Sequence, residues 1–118
     1  MSGGIVAIID DSQLILDSLK LVLNMYGFAV NVYASPVSFL EDHAARPACL
    51  IVDQNMPGMK GVELVTRLRE DGNAVPVLLT TGVPLNDMTD NVARLDIERV
   101  LLKPVELEVL LKFVTRHC

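Results

Sequence analysis

Apolar residues fall into five short runs, separated by stretches in which they recur every three or four positions. Ile5–Asp10, Ala29–Tyr33, Ala48–Asp53, Val75–Thr80 and Glu98–Leu102 read as strands. The first, third and fourth are almost continuously apolar, as parallel strands covered on both faces are, whereas the second alternates more and belongs nearer an edge. Between them the period becomes helical. Ser12–Tyr26 carries Ile15, Leu19, Val22, Leu23 and Tyr26 on one stripe, and Gly27 stands where a left-handed C-terminal cap is usual. Ser35-Pro36 supplies an N-cap and a first-turn proline for a helix reaching about His43. A third helix spans Gly61–Glu70, with Leu64, Val65 and Leu68 inward and Gly72 after its end. The fourth, Pro84–Arg94, is so rich in Asn, Asp and Thr that little besides Leu85, Met88, Val92 and Leu95 is left to bury. The fifth runs from Val105 to Arg116, with Leu107, Leu110, Leu111 and Val114 inward. Regular alternation of strand and helix predicts right-handed crossovers and an α/β fold with a doubly wound, five-stranded parallel sheet. Residues 1–118 read as one domain, with no linker, repeat or second domain.

Composition agrees with that reading and narrows it. The chain of 118 residues is 51% hydrophobic and only 4% aromatic, so its core is built from Leu, Val, Ile and Ala. A formal net charge of −5 argues against direct binding of nucleic acid or of an anionic membrane. No apolar stretch approaches the length of a membrane span, and Met1-Ser2-Gly3-Gly4 lacks the basic region of a secretory signal. A cytoplasmic protein is expected. Cys49 reads as a small buried hydrophobe and Cys118 as a free thiol, and no CxxC or Cys/His spacing suggests zinc. His43 and His117 read as isolated surface residues without a role. Met56 and Met59 read as packing, and Pro57 and Pro76 as turn formers.

Charge at the strand ends changes the picture more. Asp53 closes a buried run and precedes Gln54-Asn55-Met56-Pro57-Gly58, and Asp10-Asp11 close the first strand in the same way. In open α/β sheets, ligands bind beyond the carboxyl ends of the strands. Those ends here hold Asp10, Asp11, Asp53, Thr81 and Lys103. Carboxylates so gathered repel one another, which raises a pKa or calls for a cation. An all-oxygen set without His or Cys selects a hard ion, Mg²⁺ in a cell. Lys103 can pair with a carboxylate or a phosphoryl group, Thr81 can donate to a phosphoryl oxygen, and Asp53 is a plausible nucleophile toward phosphorus.

Taken in order, Asp10-Asp11, Asp53 within Asp53-Gln54-Asn55-Met56-Pro57-Gly58, Thr81-Gly82 and Lys103-Pro104 resemble the receiver domain of bacterial two-component response regulators over essentially the whole chain. The resemblance implies the flavodoxin-like (βα)5 fold with strand order 2-1-3-4-5 and a cis Lys103-Pro104 bond. It further implies that Asp53 accepts a phosphoryl group from a sensor histidine kinase or phosphotransfer protein. Mg²⁺ would then be held by Asp10, Asp11, Asp53 and the backbone carbonyl of Asn55, with Thr81 and Lys103 on the phosphoryl oxygens. Such a domain catalyses only its own phosphorylation and dephosphorylation. It passes the signal to a downstream protein partner or to an output domain outside this chain, and homodimers through helix four, strand five and helix five are common in the family.

Three positions depart from the family pattern. Val100 stands where a switching Tyr or Phe is usual, and a valine has no ring to swing. Lys60 replaces an acidic or small polar residue before Gly61, and Leu95-Asp96-Ile97 replaces the usual Gly-Ala before strand five. The alternative reading is a pseudo-receiver that binds proteins without phosphorylation. A metal-dependent phosphohydrolase fits less well, since Asn55 occupies the place of its general acid and the chain is too short for a cap domain.

Overall fold

The computed structural model describes residues 4–84 and 89–118, and of 89–91 the backbone only. Its strands are β1 (Ile5–Ile9), β2 (Ala29–Tyr33), β3 (Cys49–Asp53), β4 (Val77–Thr81) and β5 (Arg99–Leu102). They alternate with helices α1 (Gln13–Met25), α2 (Pro36–Glu41), α3 (Gly61–Glu70), α4 (Thr89–Arg94) and α5 (Leu107–His117). The sheet is parallel throughout, in the order β2-β1-β3-β4-β5. Successive side chains point to opposite faces of a strand, so the continuous apolar runs divide into two cores. Ala7, Ile9, Leu50, Val52, Val77 and Leu79 pack with Phe39, Leu64, Val65 and Leu68 on one face. Val6, Ile8, Cys49, Ile51 and Leu78 pack with Leu16, Leu23, Leu110, Phe113 and Val114 on the other.

Local signals set the helix ends. The Ser12 hydroxyl accepts from the Ile15 N–H at 3.4 Å and that of Ser35 from the Ser38 N–H at 3.1 Å, each satisfying a first-turn donor. Gly27 follows α1 with φ +92°, a conformation other residues adopt only with strain.

Several boundaries and faces differ from the sequence reading, for physical reasons. β4 begins at Val77 and takes in Thr81. Pro76 has no N–H for the ladder, and its carbonyl accepts from Leu50 N–H at 2.9 Å. β1 stops at Ile9, leaving Asp10 just beyond the strand, and α2 ends at Glu41. α5 starts at Leu107, because Lys103–Glu106 form the turn out of β5, with a cis Lys103–Pro104 peptide. In α1 the buried positions are Leu16 and Leu23; Ile15, Leu19 and Val22 are half-buried, and Tyr26 is 59% exposed. This helix is apolar on nearly every side (Leu14, Leu21 and Met25 face solvent), so periodicity could not choose between stripes one residue apart. In α5, Phe113 joins Leu110 and Val114 in the core, while Leu107 is exposed and Leu111 half-buried. The expected start of α4 at Pro84 and the inward positions Leu85 and Met88 involve residues outside those described. Val92 packs half-buried against the core, and Leu95 is buried in the turn after α4. His117 is not isolated: its ring nitrogen lies 2.8 Å from Glu98, which also pairs with Arg116 at 3.1 Å.

The missing Gly-Ala before β5 has a structural replacement. Asp96 itself adopts the left-handed conformation, at φ +54°, which aspartate tolerates better than most residues. Arg69, from α3, reaches under this turn. Its Nε donates to the Leu95 carbonyl at 2.8 Å and its Nη2 to that of Asp96 at 3.4 Å. Its Nη1 donates to the carbonyls of Asn73 and Val75 at 3.0 and 2.8 Å. Burial pulls the guanidinium pKa down, but it stays charged, with the Asp96 carboxylate favouring the cation. One side chain thus ties the end of α3 to the turns before β4 and β5. Arg69→Ala strands these acceptors and is expected to lower the unfolding free energy by about 1–3 kcal/mol. Urea denaturation with an unchanged m-value reads this out, and a loss below about 0.5 kcal/mol, the range of ordinary surface substitutions, would refute the clamp.

Candidate functional site

Asp10 directly follows β1, Asp53 closes β3, Thr81 closes β4 and Lys103 directly follows β5, so one sheet edge gathers them. Asp10 and Asp53 are each 3% exposed, which for carboxylates demands compensation. The Lys103 ammonium supplies it, lying 3.1 Å from Asp10 Oδ2 and 3.3 Å from Asp53 Oδ1. Backbone donors add to it. Ser12 N–H donates to Asp10 Oδ1 at 2.9 Å, and Asn55 N–H donates to Asp53 Oδ1 at 3.3 Å. Burial, and then the negative charge of Asp10, raise the Asp53 pKa above the ordinary 3.8, against the opposing pull of Lys103 and the Asn55 N–H. For Lys103, burial is the largest single influence and favours the neutral amine, but the hydrogen bonds and charges of Asp10 and Asp53 together outweigh it. Its pKa rises above 10.5 and the ammonium persists at neutral pH.

Asp11 is exposed and completes the acid cluster, with carboxylate oxygens of Asp10, Asp11 and Asp53 all within 4.8 Å of one another. Three carboxylates, no nitrogen or sulfur donor, and one open side form a donor set that fits a hard divalent ion such as Mg²⁺. The chemistry of the set, two acids buried and one at the rim, is the observation on which this fit rests.

Thr81 is fully buried, and its hydroxyl is engaged by its own loop. It donates to the Val83 carbonyl at 3.1 Å and accepts from Val83 N–H at 3.2 Å and from the Asn55 side-chain amide at 3.3 Å. Val100 lies elsewhere. It sits in β5 opposite Leu79 and packs against the α3 side of the sheet. Lys60 is exposed at the start of α3, where its N–H donates to the Glu63 carboxylate at 3.0 Å.

Sequence reasoning missed two residues that shape the site. Gln54 is 6% exposed, and its Oε1 accepts from Val62 N–H at 2.9 Å while its N–H donates to the Thr80 carbonyl at 2.7 Å. It fastens the loop after Asp53 to the start of α3. Gly61 is the second, because a Cβ there would lie 2.7 Å from the Asp53 carbonyl oxygen and 2.8 Å from Leu79 Cδ1. The available signals were a polar residue immediately after the strand-end acid and a glycine in the first position of a helix. Beside the acids, a cavity of about 640 Å³ opens between α1 and the turn after β5, with Leu14, Ile15, Pro104 and Val105 on its apolar flank.

Comparison with known proteins follows the same lines. The family described as response regulator receiver domain matches residues 6–115. The response regulator MprA of Mycobacterium ulcerans is 33% identical over 109 residues, covering 90% of this chain and 46% of that protein. The transcriptional regulatory protein FixJ of Bradyrhizobium diazoefficiens is 35% identical over 89 residues, covering 70% of this chain and 42% of its own length. The chain therefore spans less than half the length of these relatives. Among solved structures, FixJ-N superposes with a TM-score of 0.87 at 30% identity, covering 99% of this chain and 94% of that one. The chemotaxis protein CheY4 of Vibrio cholerae gives 0.87 at 27% identity, covering 99% and 100%. Fold, strand order and sequence agree, and the chain belongs to the response regulator receiver domains of two-component signalling.

Proposed function

We propose that Asp53 is the phosphoacceptor of this receiver and that a phosphohistidine on a sensor kinase or phosphotransfer protein is the donor. The observation that carries this reading is a buried carboxylate at a strand end, 3.3 Å from a lysine and within 4.8 Å of two further acids. An Asp53 carboxylate oxygen attacks phosphorus as the N–P bond breaks. The leaving imidazole takes up a proton, and Asp53 carries an acyl phosphate. Asp10, Asp11, Asp53 and the Asn55 backbone carbonyl would hold Mg²⁺, which when bound neutralises charge on the transferring group. Lys103 exchanges its contact with Asp53 for one with a phosphoryl oxygen and stabilises the charge that develops there.

Thr81 is the link to the surface in this reading. To donate to the phosphoryl group, its hydroxyl gives up the Val83 carbonyl, which releases the Gly82-Val83 turn after β4. The acyl phosphate then favours a different arrangement of α4 and β5, read by a downstream partner or by an output domain such as the longer relatives have room for. With Val100 in place of an aromatic ring, this coupling runs through Thr81 alone.

Incubation with Mg²⁺ and acetyl phosphate is expected to add one phosphoryl group to the intact mass. The gain should vanish in Asp53→Asn and when Mg²⁺ is chelated; an undiminished gain in Asp53→Asn would sink the assignment. Lys103→Met is expected to slow phosphorylation about a hundredfold, the usual cost of losing one donor to developing charge, with the rate followed by mass under the same conditions. Backbone amides of α4 should shift on phosphorylation in the nitrogen–proton correlation spectrum, and an unchanged α4 would show that Thr81 by itself does not reach this surface.

A further inference from the structure

Cys49 and Cys118 are 69 residues apart in sequence, yet their sulfurs lie 3.4 Å apart. Neither forms a disulfide in this structure. Cys49 opens β3, is fully buried and pairs in register with Val6 of β1. Cys118 directly follows α5, is half-buried, and its N–H donates to the Val114 carbonyl at 2.8 Å, which holds it over the start of β3. Gly4 packs beside it, and its missing side chain spares Ala48 rather than the sulfur. A Cβ on Gly4 would collide with that of Ala48 and come within 3.6 Å of the Cys118 sulfur. The pair therefore occupies a close-packed place at the amino edge of the sheet. Cys49 and Asp53 stand at opposite ends of β3, roughly 13 Å apart along the strand at the usual rise per residue.

We infer that Cys49 and Cys118 form a two-thiol oxidation site, which low-molecular-weight disulfides such as oxidised glutathione convert to an intramolecular disulfide. Access and chemistry divide the roles. Burial, then the neighbouring Cys118, then the charge of Glu98 hold the Cys49 thiol well above its ordinary pKa, so it is a poor first nucleophile. Cys118 is the more exposed residue of the two. Its thiolate attacks one sulfur of the reagent and expels a thiolate, which is protonated, leaving a mixed disulfide on Cys118. The Cys49 thiol then loses its proton, attacks the Cys118 sulfur and expels the second thiolate. Two protein thiols are oxidised by two electrons, and one disulfide is reduced to two small thiols. The sulfurs, already in van der Waals contact at 3.4 Å, have only to close to bonding distance. The site needs neither the acids nor a phosphoryl group, so it is independent of the function proposed above.

The full chain, reduced and desalted, is incubated with oxidised glutathione without denaturant, blocked with maleimide, and examined by intact mass and non-reducing peptide mapping. The expected product has lost two hydrogens, retains no glutathione, and joins the peptides that carry Cys49 and Cys118 within one monomer. In Cys49→Ala, glutathione should remain on Cys118. In Cys118→Ser, Cys49 should react at least tenfold more slowly than Cys118 does in the wild type. Glutathione retained on wild-type Cys118 with Cys49 still free would overturn the inference, as would disulfides found only between two chains. Mapping of the wild type decides the question even where a variant folds poorly.

Discussion

Two carboxylates buried at adjacent strand ends, held against one ammonium, are the constraint around which this molecule is arranged. Asp10 and Asp53 repel each other in surroundings that screen charge far less than water does. Lys103 lies between them because β5 stops where it does and the following turn delivers the side chain. The compensation is partial: the Asp53 pKa remains raised even with the lysine in place. A cluster left short of positive charge, with Asp11 exposed beside it, has the chemistry to hold a cation and, in the function proposed above, to meet an incoming phosphoryl group.

Topology explains why the acids meet at all. The order β2-β1-β3-β4-β5 reverses direction between β1 and β3, so the connections leaving these neighbours pass to opposite faces and open a crevice at their carboxyl ends. Asp10 and Asp53 sit on the lips of that crevice. Around it the chain accepts tight local terms: the glycine at Gly61, without which the Asp53 carbonyl would meet a side chain, and Gln54, which binds the acid's loop to α3.

Much of this was legible in the sequence. Continuous apolar runs foretold strands covered on both faces, and the acids, the threonine and the lysine at their ends foretold the site edge. What stayed hidden depended on choices between near-equal options. α1 is apolar on so many sides that Leu16 and Leu23 could be told from Ile15 and Tyr26 only by packing against the sheet. Gln54 and Arg69 look like ordinary polar surface residues until the backbone groups they serve are placed. The Cys49–Cys118 contact is a relation between two places on the chain that no local pattern records. The turn at Asp96 could be recognised as unusual, but not as one supported from α3.

The distance along the chain between the charges has its own consequence. Asp10 and Lys103 are 93 residues apart, so their contact closes nearly the whole domain into a loop. Loop-closure entropy makes such a contact late and conditional on the rest of the sheet being in place. During synthesis, both acids leave the ribosome long before the lysine that offsets them. The site thus tells a complete domain from a truncated one: a polypeptide that stops before β5 carries the acids without their counter-charge, and its unbalanced strand ends work against the core that would bury them.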